Sequence, residues 1–294
     1  MPRSKTVFFV GLLACVVPLG LAGQDPASSG ASGEDEAADG PLDLSEFPGL
    51  LVDDVVVPVP SEIFSIMGKL SEAEFADEIP ARRELAFRNR SRLALAFGIA
   101  VADGFIAVQA QDKAGIEQTG RTVLKLSEAL GLRSRVLKHT QTIIDASDRG
   151  DWQRVRDELD RTQKTMRETM EEMRDGALAN CVSIGGWIRG TEAMSSLISQ
   201  AYNPNQAELL NQPEIALHFS KMIAEMDAKI REVEQVKVAE ACLAKVGEIM
   251  GEGGEMIGME AVSEIHAASK SVVESVFSTD PPKAIPVERG SGDE

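Results

Sequence analysis

Aromatic residues make up only 4 % of this 294-residue chain, and Tyr202 is its one tyrosine. Few rings and few β-branched residues, beside much Ala, Leu, Glu, Met and Arg, disfavour sheet and favour helix. Cysteine is as scarce: Cys15, Cys181 and Cys242 allow one bridge at most. Histidine is limited to His139, His218 and His266. None has a glutamate three residues before it, the spacing by which di-iron bundles place two ligands on one helix face. None stands in H-E-x-x-H, so a zincin site is absent. The patterns G-x-S-x-G, S-x-x-K and G-x-x-x-x-G-K-[ST] are missing too, which weakens serine hydrolase, penicillin-binding and P-loop readings. An enzyme whose acids come from distant helices is not excluded.

Positive charge is the last thing in short supply. Thirty Lys and Arg face 47 Asp and Glu, for a net charge of −17. Such a chain repels nucleic acid and anionic lipid, and no basic stripe with interleaved aromatics offsets that. No nucleic-acid partner is expected.

The N-terminus is different in kind. Arg3 and Lys5 precede an apolar run from Thr6 to Val17, and Gly20-Leu21-Ala22 supplies small residues for cleavage after Ala22. Residues 1–22 therefore read as a signal peptide, and the mature chain as periplasmic or secreted. Its loss removes two bases and no acid, which leaves −19. Leu12-Leu13-Ala14-Cys15 also resembles a loose lipobox. Cleavage before Cys15 would leave a lipid-anchored protein. Against that, Val16 to Leu19 stays apolar where a lipoprotein usually turns polar.

Residues 23–47 hold seven acids and no base and read as a disordered acidic linker. Val52–Pro60 is β-branched with two prolines, so it reads as an extended segment and not a central strand. Helices come next: a short one capped by Ser61, another opened by Ser71-x-x-Glu74, then a long one from Ala81 toward Gln111. The centre of the long helix, Leu93 to Val108, is apolar nearly all round. It is short for a membrane span and contains Asp103, so it reads as the core helix of a bundle.

Further helices are expected over Ala114–Leu130, Ser134–Ser147 and Asp151–Arg174. The last carries a stripe of Trp152, Val155, Leu159, Met166, Met170 and Met173. Its other face pairs Asp157 with Arg161, Asp160 with Lys164 and Arg167 with Glu171, each worth about 0.2–0.5 kcal/mol. Leu178–Ala201 is rich in Gly and Ser, poor helix formers. Asn203-Pro204 and Asn211-x-x-Glu214 are helix starts, and a second stripe runs from Ile215 to Val233. Glycines 251, 253 and 254 precede a last helix to about Phe277, and residues 278–294 read as a disordered tail. The expected fold is all-α: an irregular multi-helix bundle over 48–277.

Two charges stand where everything else is apolar. Asp103 lies in the most apolar helix; Arg189 lies in the Gly-rich one, beside Trp187 and one turn before Glu192. Buried charges need partners. Gly98 and Gly104 on one helix and Gly186 and Gly190 on the other permit close packing. The two helices are thus expected to be neighbours, with the Arg189 guanidinium on Asp103, Glu192 or both. The bland account is an internal ion pair; the sharper one is the floor of a small-ligand site lined by Asp103, Trp187, Arg189 and Glu192. Cys181 and Cys242 lie in different helices and form a bridge or pack as small apolar residues. Met250, Met256 and Met259 offer thioethers, which suit copper(I), but beside glycine they read first as gap-filling core. No cofactor and no metal is expected. The leading functional expectation is a non-catalytic binding or scaffold protein of the envelope or periplasm with a protein partner. A carrier of a small ligand or metal is the alternative, and an enzyme the third.

Overall fold

Four turns of one design string together the five helices that dominate the molecule. They are α1 (Arg90–Gln109), α2 (Lys113–Ala129), α3 (Arg133–Asp148), α4 (Trp152–Glu172) and α5 (Gly176–Gln200). After each of the first four, one residue turns left-handed: Gln111 (φ 52°), Gly131 (79°), Gly150 (72°) and Arg174 (59°). The next N–H then reaches back to a carbonyl of the finished helix. Asp112 donates to Ala107 at 2.9 Å, Leu132 to Ser127 at 2.7 Å, Asp151 to Ala146 at 3.0 Å and Asp175 to Met170 at 2.8 Å. This Schellman closure satisfies carbonyls the helix end would strand. Asp112 and Asp151 also cap α2 and α4, accepting from the Ala114 and Arg154 N–H groups.

The computed structural model describes residues 50–52, 55–57, 70, 75–80, 83, 85–251 and 256–279, which belong to one compact unit spanning 43–294. The expected signal peptide, Cys15, the expected acidic linker, the expected helix starts at Ser61 and Ser71, and residues 280–294 of the expected tail lie outside the described residues. Beyond α5 come α6 (Pro204–Ala207), a 3₁₀ turn (Glu208–Leu210), α7 (Pro213–Glu225), α8 (Ala228–Arg231), α9 (Glu234–Met250) and α10 (Met259–Phe277). A small antiparallel pair, β1 (Leu50–Val52) and β2 (Val55–Val57), aligns Leu50 with Val57 and Val52 with Val55. The molecule is an all-α multi-helix bundle with this one hairpin attached.

α1 is its axis. Every residue of α1 is buried except Arg90, Arg92 and Gln109. Its main neighbour is α5, flanked by α2 and α10; α3 packs on α4, and α9 sits between α7 and α10. α1 is the one helix among the described residues long and apolar enough to cross a membrane, with mean hydropathy 1.7, and 94 % of that stretch is buried inside the body.

Four local expectations change. α1 starts at Arg90 and not Ala81, because the Asn89 side chain accepts from the Arg92 N–H at 3.0 Å and fixes the cap there. Residues 79–80, 83 and 85–89 ahead of it are irregular. The Gly- and Ser-rich segment is a helix as expected: it forms α5, at 25 residues the longest among the described residues, because close packing on α1 outweighs weak propensity. Asn211 is not the N-cap of α7; it closes the 3₁₀ turn and donates to Glu208, and α7 opens with Pro213 at its first position. The stripe from Ile215 breaks at Met226, whose ψ of 154° is extended. On α4, Arg161 pairs with Glu158 at i,i+3, and Lys164 pairs with Glu168 at i,i+4.

Candidate functional site

The α1–α5 crossing is made of backbone. A Cβ placed on Gly98 would lie 1.9 Å from the Val182 carbonyl oxygen and 2.8 Å from the Gly186 nitrogen. One on Gly185 would lie 2.3 Å from the Leu95 carbonyl oxygen. Gly104 takes no part: it faces Leu159 of α4 and Thr119 of α2. Two helices this close exclude water, so polar side chains at the crossing must satisfy one another.

They do. Arg189 Nε donates to Asp103 Oδ1 at 2.8 Å, and Nη1 to Glu192 Oε2 at 2.8 Å. The pairing expected from the sequence is thus formed, with both acceptors engaged. Two further groups complete it. Arg83 donates through Nε to Asp103 Oδ2 at 2.6 Å and through Nη2 to Oδ1 at 3.0 Å. Arg189 Nη2 donates to the Glu78 carbonyl, and the Glu78 carboxylate stands 3.7 Å from Nη1. Asp103 and Arg189 keep 3 % and 4 % of their side-chain surface. Burial opposes ionisation of Asp103, but the two guanidinium groups outweigh it and hold the carboxyl below its ordinary range. Burial likewise works against Arg189, and the surrounding carboxylates reverse that and raise it.

Aromatic rings and a third arginine brace this cluster. The Arg83 guanidinium lies 4.4 Å from the centre of the Phe277 ring, and Phe87 meets Phe277 edge-on at 6.2 Å. Arg92 lies 4.1 Å over Phe87 and donates to the Val276 carbonyl at 2.8 Å, at the end of α10. Gln118 of α2 donates to the Pro80 carbonyl at 2.6 Å. His266 of α10 reaches the Glu192 carbonyl through Nδ1 at 3.2 Å.

Asp103, Arg189 and Glu192 therefore come together, while Trp187 does not join them. It stands two residues from Arg189, and positions i and i+2 of a helix point apart. Trp187 packs instead on Phe219 of α7, ring centres 5.7 Å apart, and donates Nε1 to Gln212 at 3.3 Å. A cavity of about 20 Å³ lies elsewhere, among α1 to α4, lined by Val101, Gly104, Thr119, Ile143 and Leu159. That is room for roughly one water molecule. Sequence reasoning missed Arg83, Glu78 and Phe277. The only trace was Arg82-Arg83 after Pro80, which reads equally well as the polar start of a helix.

A second polar link ties α3 to α4. His139 Nδ1 meets Glu158 Oε1 at 2.6 Å, and Nε2 meets the Thr165 hydroxyl at 3.0 Å. The order hydroxyl, imidazole, carboxylate is that of a nucleophile relay. It sits in the middle of two helices, where every backbone N–H is already engaged and cannot hold an oxyanion. His218 packs on Phe219. Among the described residues no three His, Cys, Asp or Glu side chains converge as a metal cage.

Cys181 and Cys242 are both buried and both free, so the bridge that the sequence left open is not formed. Cys181 is on α5, whereas Cys242 is on α9, which packs on α7 and α10. Burial pushes each thiol up to about 12, partly offset at Cys242 by the Ser269 hydroxyl. At pH 8 the thiolate fraction is then about one in ten thousand. Both sulfurs should resist iodoacetamide in the native protein and react fully in denaturant. Rapid native labelling of either, read by peptide mass spectrometry, would contradict that burial.

No family model matches the chain, and neither a curated protein nor a solved structure resembles it significantly.

Proposed function

We propose that the chain is an exported helical protein that works by binding a protein partner in the periplasm or outside the cell, not by catalysis. The observation that carries the non-catalytic part is the commitment of the buried charges. Asp103, Arg189 and Glu192 spend their hydrogen bonds on one another and on Arg83 and Glu78, which leaves no poised acid, base or nucleophile at the crossing. Export rests on the positive, apolar and small-residue order of residues 1–22. A carrier of small ligands draws less support, since Trp187 is turned away from Arg189 and the cavity beside α1 has room for about one water.

Mass spectrometry of the mature N-terminus tests the compartment. Cleavage after Ala22 gives a chain beginning at Gly23, or at Gln24 after one trimming step. A diacylated Cys15 would replace the soluble form with an anchored one. Cross-linking in the envelope fraction tests the binding role, and reproducible turnover in a broad substrate screen would overturn the non-catalytic reading.

A further inference from the structure

The wall of the ion cluster is helical, whereas one of its cations is not. Asp103, Glu192 and Phe277 stand on α1, α5 and α10, three helices packed on one another. Arg83 comes from the irregular stretch ahead of α1. Its guanidinium forks onto both oxygens of Asp103 and lies over the Phe277 face. A carboxylate meeting the fork and an aromatic face beside it are the two contacts that favour guanidinium over ammonium. The Arg83 side chain keeps 12 % of its surface against 3 % for Asp103, so the site opens to solvent on the side where Arg83 enters. Without Arg83 the carboxylates of Asp103, Glu192 and Glu78 face Arg189 alone. The excess of desolvated negative charge would grow by one, and an entering cation would restore the native balance.

We infer that this three-helix wall is a guanidinium-binding site, which Arg83 fills from within the chain and which an arginine side chain of a partner segment takes by displacing it. The occupant now in place is not carried on a helix, so the opening already admits an arginine from irregular chain. Lysine would bring a single charged point and lose one of the two bonds to Asp103. The partner rests on the binding-protein reading above, but the site is tested without it. A failed envelope cross-link leaves the titration below intact, and a failed titration leaves the cross-link standing.

The test uses full-length Arg83→Ala and its thermal midpoint. Methylguanidinium is titrated against methylammonium at equal ionic strength, with urea as the neutral control. The midpoint should rise saturably with methylguanidinium, with half the effect on the order of 10 mM for so small a ligand. Methylammonium should recover less than about a third of it, and wild type should respond to neither. Equal responses to the two cations, or none, would overturn the site. Should Arg83→Ala not fold, hydrogen exchange on wild type decides the displacement. Amides in 75–89 should exchange at least about tenfold faster than those of α1 and α5. Exchange of that stretch only in step with α1 and α5 would overturn it.

Discussion

Gly98→Ala should collapse the stability of this protein, whereas Gly104→Ala, six residues along the same helix, should leave it nearly unchanged. The new methyl at position 98 would sit 1.9 Å from the Val182 carbonyl oxygen. Nothing there can rotate aside, because the obstacle is helix backbone. α1 and α5 would have to separate along the crossing and open the driest part of the core. Overpacking against movable side chains costs about 1–3 kcal/mol, and a backbone clash belongs at or above the top of that range. Alanine's helix advantage over glycine, about 1 kcal/mol, does not offset it. A fall in thermal midpoint on the order of 10 °C is expected, or failure to fold. At Gly104 the nearest atom is Leu159 Cδ2 at 3.0 Å, the end of a side chain that borders the cavity and can move into it. There the helix advantage and the mild crowding nearly cancel. A Gly98→Ala protein as stable as wild type would mean that the two helices are not this close.

The second large effect is at the ion cluster, and charge counting ranks its members. Arg83 and Arg189 face Asp103, Glu192 and Glu78. Removing Arg189 leaves three carboxylates with one guanidinium, while removing Asp103 leaves two of each sign. Breaking a buried pair typically costs about 3–5 kcal/mol. Arg189→Ala should fall at the upper end and Asp103→Ala at the lower. Denaturant midpoints should show the double variant losing less than the sum, and strictly additive losses would refute the coupling. The pH dependence has a fixed sign. Asp103 ionises more readily folded than unfolded, so the unfolded chain binds its proton first. The stability it supplies is complete above the ordinary aspartate value of about 4 and fades as pH falls through the lower folded value. Asp103→Asn should therefore lose less stability than wild type between about pH 4 and pH 2, by at most about 1.4 kcal/mol per pH unit. An identical decline in the two proteins would mean Asp103 is not held ionised by its partners.

The contact of α1 with α5 was legible because both stretches combine apolar residues, glycine and one stranded charge, a combination that only close packing with internal pairing resolves. Which glycines meet was only half legible. Gly98 does face α5, against Val182 and Gly186, but Gly185 also takes part, against Leu95, and Gly104 turns to α4 and α2. Spacing fixes the face of a helix to within a residue or so, while the crossing angle is set by all of its neighbours together. Trp187 was misplaced for a local reason, since two residues along a helix is slightly more than half a turn. Arg83 and Phe277 were scarcely legible: Arg83 reaches Asp103 from 20 residues before it, and Phe277 meets Arg83 from the far end of α10. Nothing periodic marks an irregular chain that lies across helix ends. The left-handed Gln111 and Arg174 escaped notice because glycine ordinarily announces that conformation.

The order in which the chain is made gives Asp103 a further consequence. Arg189 follows it by 86 residues. At about 5–20 residues per second, α1 leaves the ribosome some 4–17 s before Arg189, the buried one of the two guanidinium groups that hold its carboxylate. During that interval α1 is a twenty-residue stretch apolar enough to settle in a bilayer. An aspartate near the middle of such a stretch costs about 2.5–3.5 kcal/mol on insertion. If the chain is exported as proposed, that carboxylate, still without Arg189, favours passage through the translocation channel over lateral escape into lipid. A leucine at position 103 would remove that bias as well as the ion pair.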